Sequence, residues 1–229
     1  MTTSNVAWWF QQLRMLMQRI SPSLRFLRQQ PWPLYHIFQV YVYALVVYAA
    51  MKAGCGISPQ QIRSLGNDKY FICKLNPRAY YSGSHTYSYF KITKNGRDFF
   101  LALNLDVSIV GYKSIVLNLD VVATKYAPKN INKRDNVMFF IECKSVNYAS
   151  PEYVATVLGQ SFLVKRGQHP YVGIEDLLAV RGKATYSSKE LCKLTSRWKR
   201  SVKIVDCINP KSEGERKLLQ EVMNLLGKI

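Results

Sequence analysis

The first 67 residues contain no acidic side chain; the first acid is Asp68. Across all 229 residues there are only 14 Asp and Glu against 32 Lys and Arg, a net charge of +18. Acids are rare enough that any acid inside an apolar stretch needs a reason. Cysteine is also scarce: five, at 55, 73, 143, 192 and 207, odd in number, irregularly spaced and without a CxxC pair. That pattern argues against a disulfide framework or a zinc ribbon and points to a reducing cytoplasm. There is no GxxxxGK loop, no GxGxxG fingerprint and no HExxH, so mononucleotide-loop, dinucleotide and zincin chemistry lose support. The N-terminus lacks the charged and short apolar regions of a secretory signal, so none is expected.

At 48% hydrophobic residues the chain can bury a sizeable core. Its positive surplus favours a polyanionic partner, because each phosphate neutralised releases a counterion. Nucleic acid is the first candidate, DNA ahead of RNA; an anionic membrane surface is the second. The segment "PLYHIFQVYVYALVVYAAM" (33–51) is long enough to span a bilayer, yet it carries His36, Gln39 and tyrosines 35, 41, 43 and 48. Those groups are costly in hydrocarbon, so a buried or partner-facing helix is expected.

The first third reads as helical and basic. "VAWWFQQLRMLMQRI" places Trp9, Leu13, Leu16 and Ile20 at helical spacing, and the prolines of "SPSLRFLRQQPWP" predict a turn or short helix next. From about residue 69 the pattern becomes strand-like: "KYFICKLN", "TYSYFKIT", "DFFLALNLDVSIV", "KSIVLNLDVVAT" and "VMFFIECKSV". Asn95-Gly96 predicts a hairpin, and Gly111-Tyr112 a second tight turn. "LNLDV" occurs at 103 and again at 117, which reads as two neighbouring strands of like composition. Ser150 and Pro151 open a helix to about 165, "SSKELCKLTSRWKR" (187–200) is a basic helix, "VKIVDCIN" a late strand, and Ser212 caps a final amphipathic helix. The order implies an α+β fold, a mixed sheet flanked by helices.

In "VMFFIECKSV" five apolar residues end in Glu142 and Lys144. Strand residues two apart share a face, so both side chains stand together at the end of a buried strand while Cys143 points into apolar packing. Asp120 lies late in its own apolar strand. If the two strands pair, Asp120 and Glu142 approach each other, and a divalent cation removes their repulsion. In this hypothesis Asp120 and Glu142 hold Mg²⁺, or Mn²⁺, with the Cys143 carbonyl as a further ligand, and Lys144 polarises a water. Asp106 competes with Asp120 and is expected to be an exposed edge charge.

An Asp ending one strand, about twenty residues, then Glu-x-Lys in the next resembles the signature of the PD-(D/E)XK nucleases, the restriction-endonuclease-like superfamily. Asp120, Glu142 and Lys144 match its motif residues. The helix at 150–165 falls where the superfamily's helix follows, and Gln160 matches a helper glutamine that would orient Lys144 or a phosphate. The resemblance implies a Mg²⁺-dependent endonuclease core over 67–185, flanked by a helical basic segment (1–66) and a basic extension (186–229). Leu119 stands where the motif has proline, and the upstream helices lack the acid that members often add there. Arg197, Trp198, Lys199 and Arg200 are the expected grip on nucleic-acid backbone, and Tyr-rich 80–91 a candidate stacking surface. A cut through both strands implies a homodimer, formed through the apolar helix at 34–50. The rival expectation is a non-catalytic basic subunit of a nucleoprotein assembly.

Overall fold

The alternating apolar face of the N-terminal segment folds as helix α1 (Thr3–Ile20), which buries Trp9, Leu13, Leu16 and Met17. Its partner is α2 (Leu34–Lys52), apolar on every side, with fourteen of its nineteen residues buried. Trp9 meets Phe38 and Tyr41 edge to face, at centroid separations of 5.9 and 5.2 Å. In this computed structural model, residues 3–26, 32–65, 68–75, 81–82, 85–109, 115–165, 171, 174–196 and 202–229 are described. Among them α2 is the one helix long and apolar enough to cross a membrane, and it is covered by its own chain. Its tyrosines show how: Tyr43 donates to the Leu101 carbonyl at 2.9 Å and Tyr41 to Glu215 at 2.7 Å. Tyr35, near its N-terminal end, is the exposed large hydrophobic side chain of this helix.

The main sheet has eight strands, seven of them in line. We number these β1 (Gly56–Gln60), β2 (Tyr89–Lys94), β3 (Arg97–Ser108), β4 (Val116–Thr124), β5 (Val137–Lys144), β6 (Asp176–Val180) and β7 (Val202–Val205), and they run in that order across the sheet. β1 to β5 pair antiparallel; β5, β6 and β7 pair parallel. The eighth, Asn132–Lys133, lies off this path and pairs with β3. The Asn-Gly hairpin joins β2 and β3, with positive φ at both Asn95 (50°) and Gly96 (74°), as a type I′ turn requires. The turn expected at 111–113 lies outside the described residues.

Helices cover both faces. α1, α2 and α5 (Glu213–Gly227) pack with Phe139 and Ile141; α3 (Pro151–Val164) and α4 (Tyr186–Ser196) lie against Phe140 and Val122. A strand buried on both faces has no polar side to show, which explains the unbroken run "VMFFI". The three stretches expected from sequence do not form three units. β1 comes from the first and β7 from the last, yet both belong to the same sheet, and one core runs from Trp9 to Leu226.

Several local expectations change. Residues 24–26 form a strand that pairs with Asp68–Phe71, not a short helix, and "KYFICKLN" keeps strand character only to Phe71. Ser150 sits at the N-cap of α3 but makes no capping bond. Tyr87 and Tyr89 are buried, so they offer no stacking surface. Ser212 does cap α5, accepting from the Glu215 N–H at 3.1 Å. Ser212→Ala is expected to cost about 1 kcal/mol, read as a lower urea midpoint at unchanged slope.

Candidate active site

β4 and β5 pair from Val137↔Thr124 to Ile141↔Val121. The next positions in that register are Asp120 and Glu142. There the two strands part: β5 continues beside β6 through Lys144↔Val180, and β4 continues beside β3. Asp120 Oδ2 fills the fork, accepting the Cys143 backbone N–H at 2.7 Å. The carboxylate thus takes up a donor that the parted ladder leaves without a strand partner.

Glu142 is buried and accepts from Lys144 Nζ through Oε1 at 2.8 Å. Its other oxygen, Oε2, is buried with no hydrogen-bond partner. A buried carboxylate oxygen without a donor is costly. Lys144 also lies over the Tyr153 ring of α3, 5.7 Å from its centroid. Burial opposes the Lys144 ammonium, but Glu142 and then Asp120 outweigh it and hold its pKa above the ordinary value. Lys144 is therefore a cation at neutral pH, fitted to stabilise negative charge and not to remove a proton.

Asp120 is the perturbed acid. Burial first, and Glu142 second, raise its pKa from 3.8 to about 7, against the opposing pull of the Cys143 N–H, Lys144 and Gln39. Gln39, from α2, donates to Asp120 Oδ1 at 2.8 Å and to Asn104 Oδ1 at 2.8 Å. Two carboxylates at the next opposed step of that register, one with an orphaned oxygen and one pushed toward neutrality, fit a hard divalent cation. Asp120 and Glu142 would hold it, and the Cys143 backbone lies at the same fork.

The structure thus brings Asp120, Glu142 and Lys144 together. Gln160 stands elsewhere: it lies seven residues, about 10 Å along the helix axis, beyond Tyr153. Its Oε1 is buried without a partner, and the Lys144 contacts above are with Glu142 and Tyr153. Next to it, Ser161 and Lys165 bind the buried Asp176 at 2.6 and 2.8 Å, which ties that turn of α3 to β6. Asp106 is not an exposed edge charge either. It pairs with Lys74 at 3.0 Å and accepts from Asn118 at 2.8 Å. Arg197, Trp198, Lys199 and Arg200 lie outside the described residues. Sequence reading missed Gln39, Lys74 and Asn104. The signals were a lone glutamine in an apolar helix, a lysine in "FICKL", and an asparagine inside a strand.

No protein-family model matches the chain, and no curated protein matches it in sequence.

Proposed function

We propose that this protein is a metal-dependent nuclease of the PD-(D/E)XK type, hydrolysing phosphodiester bonds in DNA, with RNA as a further substrate class. The observation that carries the reading is the fork between β4 and β5, where Glu142 lies close enough to raise the Asp120 pKa and the Lys144 ammonium is bonded to Glu142. The chain order supports it: antiparallel β3, β4 and β5, helix α3, then β6 parallel to β5. The acid lies on the second of those strands and Glu-x-Lys on the third, as the resemblance implies.

A bound Mg²⁺ or Mn²⁺ supplies Lewis acidity and an acidified water. The protein's own groups do the rest. The Cys143 N–H and Gln39 hold the Asp120 carboxylate by both oxygens. Glu142 fixes the Lys144 ammonium, which stabilises the charge that develops on the phosphate oxygens. The surplus of 18 positive charges draws the polyanion in.

One observation favours the rival reading of a non-catalytic nucleic-acid-binding subunit: the upstream helix presents the neutral Gln39 to Asp120, not an acid. Incubation of supercoiled plasmid and of single- and double-stranded oligonucleotides with Mg²⁺, Mn²⁺ or EDTA decides. The expected result is cleavage with either metal and none with chelator. Salt-sensitive binding without cleavage under every condition selects the rival, and cleavage indifferent to EDTA rejects the site.

A further inference from the structure

Asn104 lies in the interior of the twelve-residue strand β3, yet its φ is +48°. Its neighbours pair normally, Leu103↔Val121 and Leu105↔Leu119, so Asn104 stands directly across the ladder from Asp120. At this point both strands change face. Leu101, Leu103, Val121 and Ala123 belong to the core under α1, α2 and α5, whereas Leu105, Val107 and Leu119 belong to the core under α3. Regular alternation would have kept each set on one face.

The turned-out residue is held from three directions. Its carbonyl accepts the fully buried Lys74 ammonium at 2.6 Å, and its Nδ2 donates to the Lys74 carbonyl at 2.6 Å. Its amide also pairs with that of Gln39 in both senses: Gln39 Nε2 to Asn104 Oδ1 at 2.8 Å, and Asn104 Nδ2 to Gln39 Oε1 at 3.3 Å. An amide can present either its oxygen or its nitrogen to a neighbour. The reciprocal pair removes that freedom from Gln39, and the remaining N–H of Gln39 goes to Asp120.

We propose that Asn104 is a positioning residue for the candidate site: by pairing amide to amide with Gln39, it commits the Gln39 nitrogen, not its oxygen, to the Asp120 carboxylate. This rests on reading Asp120 as a cation ligand, and Asn104 acts on the ligand only through Gln39. Outer partners that orient a ligand typically change metal affinity by about 10- to 100-fold.

Asn104→Gly tests the claim because glycine keeps the left-handed backbone and removes only the amide. Two readouts apply: Mn²⁺ affinity by electron paramagnetic resonance, and hydrogen exchange of the Gln39 side-chain NH₂ by NMR in the metal-free protein. Positioning predicts Mn²⁺ binding weakened by roughly 10-fold and Gln39 exchange accelerated at least as much. A purely conformational role predicts that Asn104→Gly behaves like the native chain while Asn104→Ala loses stability; that result overturns the proposal. Gln39→Met, which keeps the side-chain volume, is the second variant should Asn104→Gly not fold. It is expected to weaken Mn²⁺ binding to the same degree, and combining the two changes is expected to add little. Unaltered Mn²⁺ affinity in Gln39→Met also overturns the proposal. If the native protein binds no Mn²⁺, the metal reading fails, and Gln39 exchange alone still decides the role of Asn104.

Discussion

Asp120→Asn is expected to stabilise the metal-free protein at neutral pH while abolishing cleavage. The folded state holds the Asp120 proton until about pH 7, whereas the unfolded chain releases it near 3.8. Between those values the folded state binds more protons than the unfolded one, so this residue makes stability fall as pH rises. The gap corresponds to a loss on the order of 4 kcal/mol, complete above pH 7. Asparagine does not titrate, so the variant escapes that loss, offset by about 1–3 kcal/mol because its single oxygen cannot accept from both the Cys143 N–H and Gln39. Urea unfolding in EDTA across pH 4 to 8 measures this: the variant should be no more stable than the native protein at pH 4 and should gain on it steadily toward pH 8. Adding Mg²⁺ at pH 8 should stabilise the native chain and leave the variant unmoved, since a ligand that binds only the folded state raises its stability. Parallel pH profiles for the two proteins contradict the assignment. The same protonation predicts that cation affinity drops as pH falls below about 7, because protons compete for the ligand.

Lys144→Ala is expected to lower the cleavage rate by at least about 100-fold, the scale seen when one donor aimed at developing charge is removed. Substrate affinity should change little, because one positive charge among a surplus of 18 is lost. Metal affinity provides the distinguishing readout. Without the ammonium, Glu142 loses its only side-chain hydrogen bond among the described residues, and the fork becomes more negative. Mn²⁺ should therefore bind as tightly as before or more tightly while turnover falls. Lys144→Arg should recover only part of the rate, since a planar guanidinium does not match a point charge seated over Tyr153. Full, chelator-sensitive cleavage by Lys144→Ala removes Lys144 from the reaction.

The central part of the site was legible because β5 is buried on both faces. A strand of that kind holds a charge only with a partner, so the buried Glu142 carries Lys144 beside it where burial ends. The Asp120–Glu142 approach needed only the pairing of consecutive strands, which β4 and β5 follow. Strand adjacency favoured Asp120 over Asp106, and the three-dimensional structure supplies what sets the two "LNLDV" copies apart. The copies run antiparallel, so each asparagine faces the other copy's aspartate: Asn118 is opposite Asp106, and Asn104 opposite Asp120. Lys74 neutralises Asp106, and Asp120 makes no salt bridge among the described residues. Sequence could not show this, since Lys74 meets Asp106 from 32 positions away, and Gln39 meets Asp120 from 81. Gln160 was misplaced for the opposite reason. Its sequence distance from the motif is right, but it lies two helical turns beyond Tyr153, next to Ser161 of the Asp176 cluster.

The burial of α2 has a consequence for biosynthesis. Translation delivers this nineteen-residue apolar rod early, and all of the elements that later shield it, except α1, emerge afterwards. Its cover α5 emerges only after the sheet; the Tyr41–Glu215 bond that fastens the two spans 174 positions. Until α5 emerges, the nascent chain therefore displays a sticky segment that chaperones, or a translocation channel, can seize.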